Sequence, residues 1–135
     1  MIPLSVPNLK GNELAYLKEC VKTEYVSSVG KFVSLFEKKI CKFTKSKYAV
    51  ACSSGTVALQ LALRVVGVKE NEEVIMPSMS FIATANAARY LKATPIFMDC
   101  DNFYNLDTKK LTSFLTKNTY MRKGYTFNKR TKKKN

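Results

Sequence analysis

Apolar positions along the chain fall into two kinds of pattern, and their alternation sets the expected architecture. In residues 12–23 Leu14, Leu17 and Val21 recur at helical spacing, which predicts an amphipathic helix with Asn12 as its N-cap. Residues 31–43 repeat the theme, with Phe32, Leu35, Phe36, Ile40 and Phe43 on one face and lysines on the other. Three short runs, Tyr48 to Cys52, Glu73 to Met76 and Thr94 to Asp99, are apolar without alternation, as strands covered on both faces would be. Helical patterns at Thr56 to Val66 and at about Ile82 to Leu91 separate them, and Asp107 is placed to cap a further helix from Thr108 to Leu115. Strand and helix in alternation predict βαβ units and a mostly parallel sheet, with any ligand beyond the carboxyl ends of the strands.

Two turns sit at such ends. The first, Ser53-Ser-Gly-Thr56, joins an apolar run to a nearly all-apolar helix containing Val57, Leu59, Leu61 and Leu63. Gly55 lets backbone approach a ligand, Ser54 and Thr56 offer hydroxyls, and the first-turn amides of the helix point outward, which makes the turn an anion site in outline. A plain strand-to-helix turn with a hydroxyl cap fits the same four residues. The second turn, Pro77 to Phe81, places an aromatic ring at the corresponding position, so one shared pocket is expected.

In order and spacing these segments resemble the DegT/DnrJ/EryC1/StrS family of pyridoxal-phosphate (PLP) sugar aminotransferases. The matching blocks are Ile2 to Pro7, Tyr25 to Glu37 and Ser53 to Leu59 with Pro77 to Asn86, followed in register by Thr94 to Asp99 and Asn105 to Asp107. The resemblance covers residues 1 to about 116. It implies an α/β fold, the front part of a fold-type I PLP-transferase large domain, with a mostly parallel sheet, flanking helices and an incomplete core. Within the family the opening block and Phe81 to Asn86 look most like enzymes that make 4-amino sugars of the bacillosamine or legionaminic acid type on a UDP carrier.

The resemblance also implies roles. Ser54, Gly55 and Thr56 would hold the phosphate of pyridoxal 5'-phosphate, and Phe81 would stack on its ring; helix-end amides and an aromatic face suit both tasks physically. Tyr25, Val26 and Ser27 would border the nucleotide-sugar substrate, although Tyr25 serves equally well as a packing residue. In the family the Schiff-base lysine and the carboxylate facing the pyridine nitrogen lie downstream of the matched segments, so no catalytic residue is assigned. The expectation is an N-terminal portion of an aminotransferase that aminates nucleotide-linked keto-sugars, cut short by an early stop, a frameshift or a split gene and inactive alone. In the intact enzyme an amino donor, usually glutamate, would load the cofactor, and a homodimer is implied.

Composition changes this picture only at the far end. The chain has 135 residues, 46% hydrophobic and 24% charged, within the range of one small globular domain, and no histidine. No run is apolar enough to span a membrane, and the start lacks the basic and apolar regions of a signal peptide, which points to the cytoplasm. Cys20, Cys41, Cys52 and Cys100 show no metal or redox spacing and read as buried thiols, so no metal site is expected. Asp99 and Asp101 are adjacent carboxylates better suited to capping a turn than to catalysis.

The formal charge is +13, of which residues 117–135 supply +8 without a single acid, while the remaining 15 cations face all 10 carboxylates. Residues 1–116 are thus expected as a partial transferase domain and 117–135 as a basic tail, poorly ordered or a truncated insertion. Two other readings stay open at this point. One is a standalone α/β module binding a phosphorylated ligand at Ser54 to Thr56; the other is a nucleic-acid binder acting through the tail, disfavoured because Tyr120, Tyr125 and Phe127 form no stacking repeat.

Overall fold

The structure, a computed structural model, describes every residue except Met1 and Leu4, so part of the opening block Ile2 to Pro7 lies outside the described residues. Elements run α1 (Glu13–Lys22), α2 (Lys31–Thr44), α3 (Gly55–Val65), β1 (Glu73–Pro77), α4 (Ile82–Tyr90), β2 (Thr94–Met98), α5 (Thr108–Asn118), β3 (Thr119–Arg122) and β4 (Tyr125–Asn128). The chain divides into two compact units, one ending at Ala51 and one of Cys52–Asn135.

The first unit is helical. Tyr16 and Phe32 bring α1 and α2 together with ring centroids 4.8 Å apart, and Lys31 Nζ donates to Glu19 Oε1 at 2.7 Å. Neither helix buries a residue. Asn12 precedes α1 but makes no side-chain cap; its backbone is not extended, and Glu13 Oε2 instead accepts the Gly11 amide at 2.9 Å. Nor does Tyr48 to Cys52 form the expected strand. A strand exists only through a ladder, and no strand among the described residues pairs with this run, whose Ala51 amide donates to the Glu37 carboxylate at 2.9 Å.

The second unit holds the βαβ core. β1 and β2 pair in parallel with Glu73 opposite Thr94 and Met76 opposite Phe97, and α4 makes the crossover. Met76, Ala85, Ala88 and Ala93 form the buried cluster, with Leu63, Val68 and Val74 packed on it. Alanines at 85, 87 and 88 let α4 lie close to its neighbours, because a Cβ is all that stands between the backbones. α3 stops in a Schellman turn: Gly67 takes φ 91°, its amide donates to Arg64 O, and Val68 N–H reaches Leu63 O at 3.0 Å. That turn sets Val68 and Leu63 side by side on the core.

Residues beyond Thr116, expected as a basic tail that is poorly ordered or a truncated insertion, carry the β3–β4 hairpin. Thr116 itself lies inside α5. Lys123 and Gly124, both at positive φ, make the two-residue connection that suits the twist of paired strands. Tyr120 stacks on Phe127 at 5.7 Å. The basic block is engaged internally as well: Lys129 Nζ donates to Lys117 O, Lys133 Nζ to Thr94 Oγ1 and Lys134 Nζ to Glu72 Oε1. None of the four cysteines enters a disulfide, and each is half-buried rather than buried. No helix among the described residues is long and apolar enough to cross a membrane.

Candidate functional site

The turn at the start of α3 is built by its own residues. Ser54 is extended at the N-cap, and its side chain accepts the Val57 amide at 3.3 Å while its carbonyl accepts Ala58 N–H at 3.0 Å. The amides of Gly55 and Thr56 belong to the first turn, which has no intrahelical acceptor to offer them. A Cβ added at Gly55 would meet nothing within 4 Å, so the corner is open, and Thr56 is half-buried beside it. Two outward amides, two hydroxyls and the positive end of an eleven-residue helix make a donor set that fits a phosphate.

The second turn opens a cavity of about 220 Å³ at the carboxyl end of β1. Its walls include Pro77, Ser78, Ser80, Phe81, Thr84 and Phe97, and Ser80 and Thr84 share a hydroxyl hydrogen bond of 2.9 Å. Phe81, one residue before α4, is 89% exposed, so its ring is not used in the core. Ser54, Gly55 and Thr56 are not among the walls of this cavity; they begin α3, the helix that packs on α4. Ser78, Ser80, Thr84 and Phe97 were not singled out from the sequence. The signal for three of them was there, in hydroxyls clustered around a strand-to-helix turn.

Tyr25, Val26 and Ser27 belong to the first unit and are exposed. Tyr25 and Ser27 line a cavity of about 240 Å³ with Cys20, Thr23, Gly30 and Phe32, whereas Val26 is not among its walls. Asp101 caps a turn as the sequence indicates, whereas Asp99 is used in an ion pair. Asp101 Oδ1 accepts the amides of Phe103 and Asn105, closing a turn, and Asp99 Oδ2 holds Lys110 Nζ at 2.6 Å. That hydrogen bond and the Asp99 charge raise the Lys110 pKa above its ordinary value.

A parallel βαβ unit with helices before and after it matches the N-terminal region of fold-type I PLP aminotransferases. The chain belongs to the DegT/DnrJ/EryC1/StrS aminotransferase family, whose sequence profile matches residues 7–124. It is 44% identical over 119 residues to the GDP-perosamine synthase of Caulobacter vibrioides, covering 87% of this chain and 32% of that protein. The aminotransferase of Psychrobacter cryohalolentis superposes with a TM-score of 0.73 at 28% identity, covering 82% of this chain and 29% of that one. NtdA of Bacillus subtilis, whose structure holds the cofactor PMP, superposes with a TM-score of 0.69 at 33% identity over 74% of this chain and 23% of its own. The chain thus spans about a third of the length of the curated relatives it matches.

Proposed function

We propose that this chain supplies the phosphate-binding and ring-stacking part of a PLP site in an enzyme that transfers an amino group to a nucleotide-linked keto-sugar. The observation that carries the reading is the Ser54-capped start of α3, open at Gly55, within a family match that spans most of the chain. The amides of Gly55 and Thr56 and the hydroxyls of Ser54 and Thr56 would bind the phosphate, and Phe81 would orient the ring from one face. Bound there, the cofactor would supply the electron sink that amino transfer requires. Tyr25 and Ser27, on the wall of the first-unit cavity, would meet the sugar substrate, with Val26 beside them in the same loop.

The nucleotide carrier is drawn from the relatives. The Caulobacter relative carries GDP in its name, which favours a guanosine carrier over the UDP carrier expected from the opening block. For the intact enzyme we propose a homodimer working in the cytoplasm, with an amino donor such as glutamate as the second substrate; for this chain by itself that assembly is not proposed.

Pyridoxamine phosphate tests the cofactor reading without forming adducts on surface lysines. Equilibrium dialysis should show it bound in competition with inorganic phosphate, and Ser54→Ala with Thr56→Val should weaken it about tenfold, the loss of one to two charge-assisted hydrogen bonds. Unphosphorylated pyridoxamine bound equally well would overturn the assignment.

A further inference from the structure

The parity of the β1–β2 ladder shows which backbone groups are already used. Thr94 N–H donates to Glu72 O and Ser78 N–H to Met98 O, both at 2.8 Å, so the even-numbered residues of the two strands serve the shared ladder and the odd-numbered ones turn outward. Pro77 and Pro95 both fall on outward positions, where a missing N–H costs the ladder nothing. On β1 the outward donors are therefore Glu73 and Ile75. Lys134 O takes the Glu73 N–H at 2.6 Å.

The side chain of Glu73 is engaged by the same segment. It is only 4% exposed, and its carboxylate accepts Asn128 Nδ2 at 3.0 Å and Thr131 Oγ1 at 2.7 Å. Asn128 Oδ1 in turn accepts the amides of Arg130 and Thr131. On either side Lys134 reaches Glu72 and Lys133 reaches Thr94. The segment is tied back to the hairpin, with Asn128 N–H on Lys133 O and Asn135 N–H on Thr126 O at 2.9 Å each. A buried carboxylate is costly unless its lone pairs are filled, and the side-chain donors that fill those of Glu73, Asn128 and Thr131, belong to residues 128–135. Its burial is accounted for only with that segment in place.

We infer that residues 128–135 are a strap that closes the outer edge of β1, with Glu73 as its latch, and that this strap keeps the edge from pairing with a second copy of the chain. An open edge is a template for another strand, and here Lys134, within residues 128–135, occupies the first outward donor of that edge. The inference stands apart from the cofactor reading.

Hydrogen exchange and sedimentation velocity on the full chain test it, with Asn128→Ala/Thr131→Ala removing both donors and Thr131→Val as a milder, volume-conserving variant. The Glu73 amide should exchange about tenfold faster or more in the double variant and less so in Thr131→Val, while the Thr94 amide inside the ladder keeps its protection. A concentration-dependent dimer should appear in step with the loss at Glu73. An unchanged Glu73 amide would overturn the strap. So would equal loss at Thr94, which would make residues 128–135 part of the core, and so would an open edge on a protein that stays monomeric.

Discussion

Helices α2 and α4 are instructive side by side. α2 is the longer, fourteen residues with a continuous row of Phe32, Leu35, Phe36, Ile40 and Phe43, and it buries none of them. α4 has nine residues and a far weaker apolar stripe, yet Ala85, Ala87 and Ala88 are buried, the last two completely. Burial follows from what the chain returns to cover a face. α4 joins two strands that pair with each other and lies against α3, so its neighbours are supplied within some forty residues of sequence. Among the described residues of its unit, α2 has only α1 as a neighbouring helix or strand. The strength of a hydrophobic pattern therefore identifies a helix without measuring how much that helix contributes to a core.

The contrast can be broken most decisively by equal truncations in the two units. Met76→Ala, at 4% exposure, should cost about 2–5 kcal/mol, read from hydrogen exchange of the α4 amides. Leu17→Ala in α1, at 63% exposure, should change α1 exchange by no more than about 0.5 kcal/mol. Comparable losses in both would show that the first unit has a core of its own. Helix caps offer a second, smaller test. Asp107 Oδ1 accepts the amides of Lys109 and Lys110, so Asp107→Ala should cost α5 about 1 kcal/mol, whereas Asn12→Ala, with no cap bond to lose, should leave α1 unchanged by circular dichroism and exchange.

The smallest effect concerns acid. Burial opposes charge on Glu72, but its hydrogen bond from Lys134, the Lys69 amide and the nearby ammonium groups outweigh that and hold its pKa below the ordinary 4.5. A carboxyl with a depressed folded pKa stabilises above its unfolded value and loses that contribution as pH falls through the folded one. The second unit should therefore lose up to about 1 kcal/mol below pH 4.5 through this pair, and Lys134→Met should flatten that part of the profile in acid-denaturation scans. An unaltered profile in Lys134→Met would remove the pair from the account.

What the sequence made legible was mostly local. Four of the five helices fall within a residue or two of their expected bounds, while α5 runs on to Asn118; Asp107 caps as read, and β1 and β2 lie where continuous apolar runs placed them. Partnership was less visible. Tyr48 to Cys52 and Glu73 to Met76 look alike as sequences, and only the second has a strand to pair with. In the basic segment, charge drew attention away from Thr119 to Asn128, whose two short runs around Lys123-Gly124 carry a hairpin signal. At the candidate site, Ser54 could be read as a cap because a hydroxyl precedes an apolar helix. The pairing of Ser80 with Thr84 and the arrival of Phe97 from β2 depended on the crossover and had no comparable local mark.

The two outward-facing prolines have a consequence for how this sheet could grow. Pro95 leaves the β2 flank with Phe97 as its one outward donor in the strand, a poor place for a newcomer to attach. With the strap of residues 128–135 released, recruitment to this sheet would fall to the β1 flank. Two molecules joined there would leave only the Pro95-bearing β2 flanks of this sheet facing outward, so growth of the β1–β2 sheet would end at a pair instead of running on into a filament.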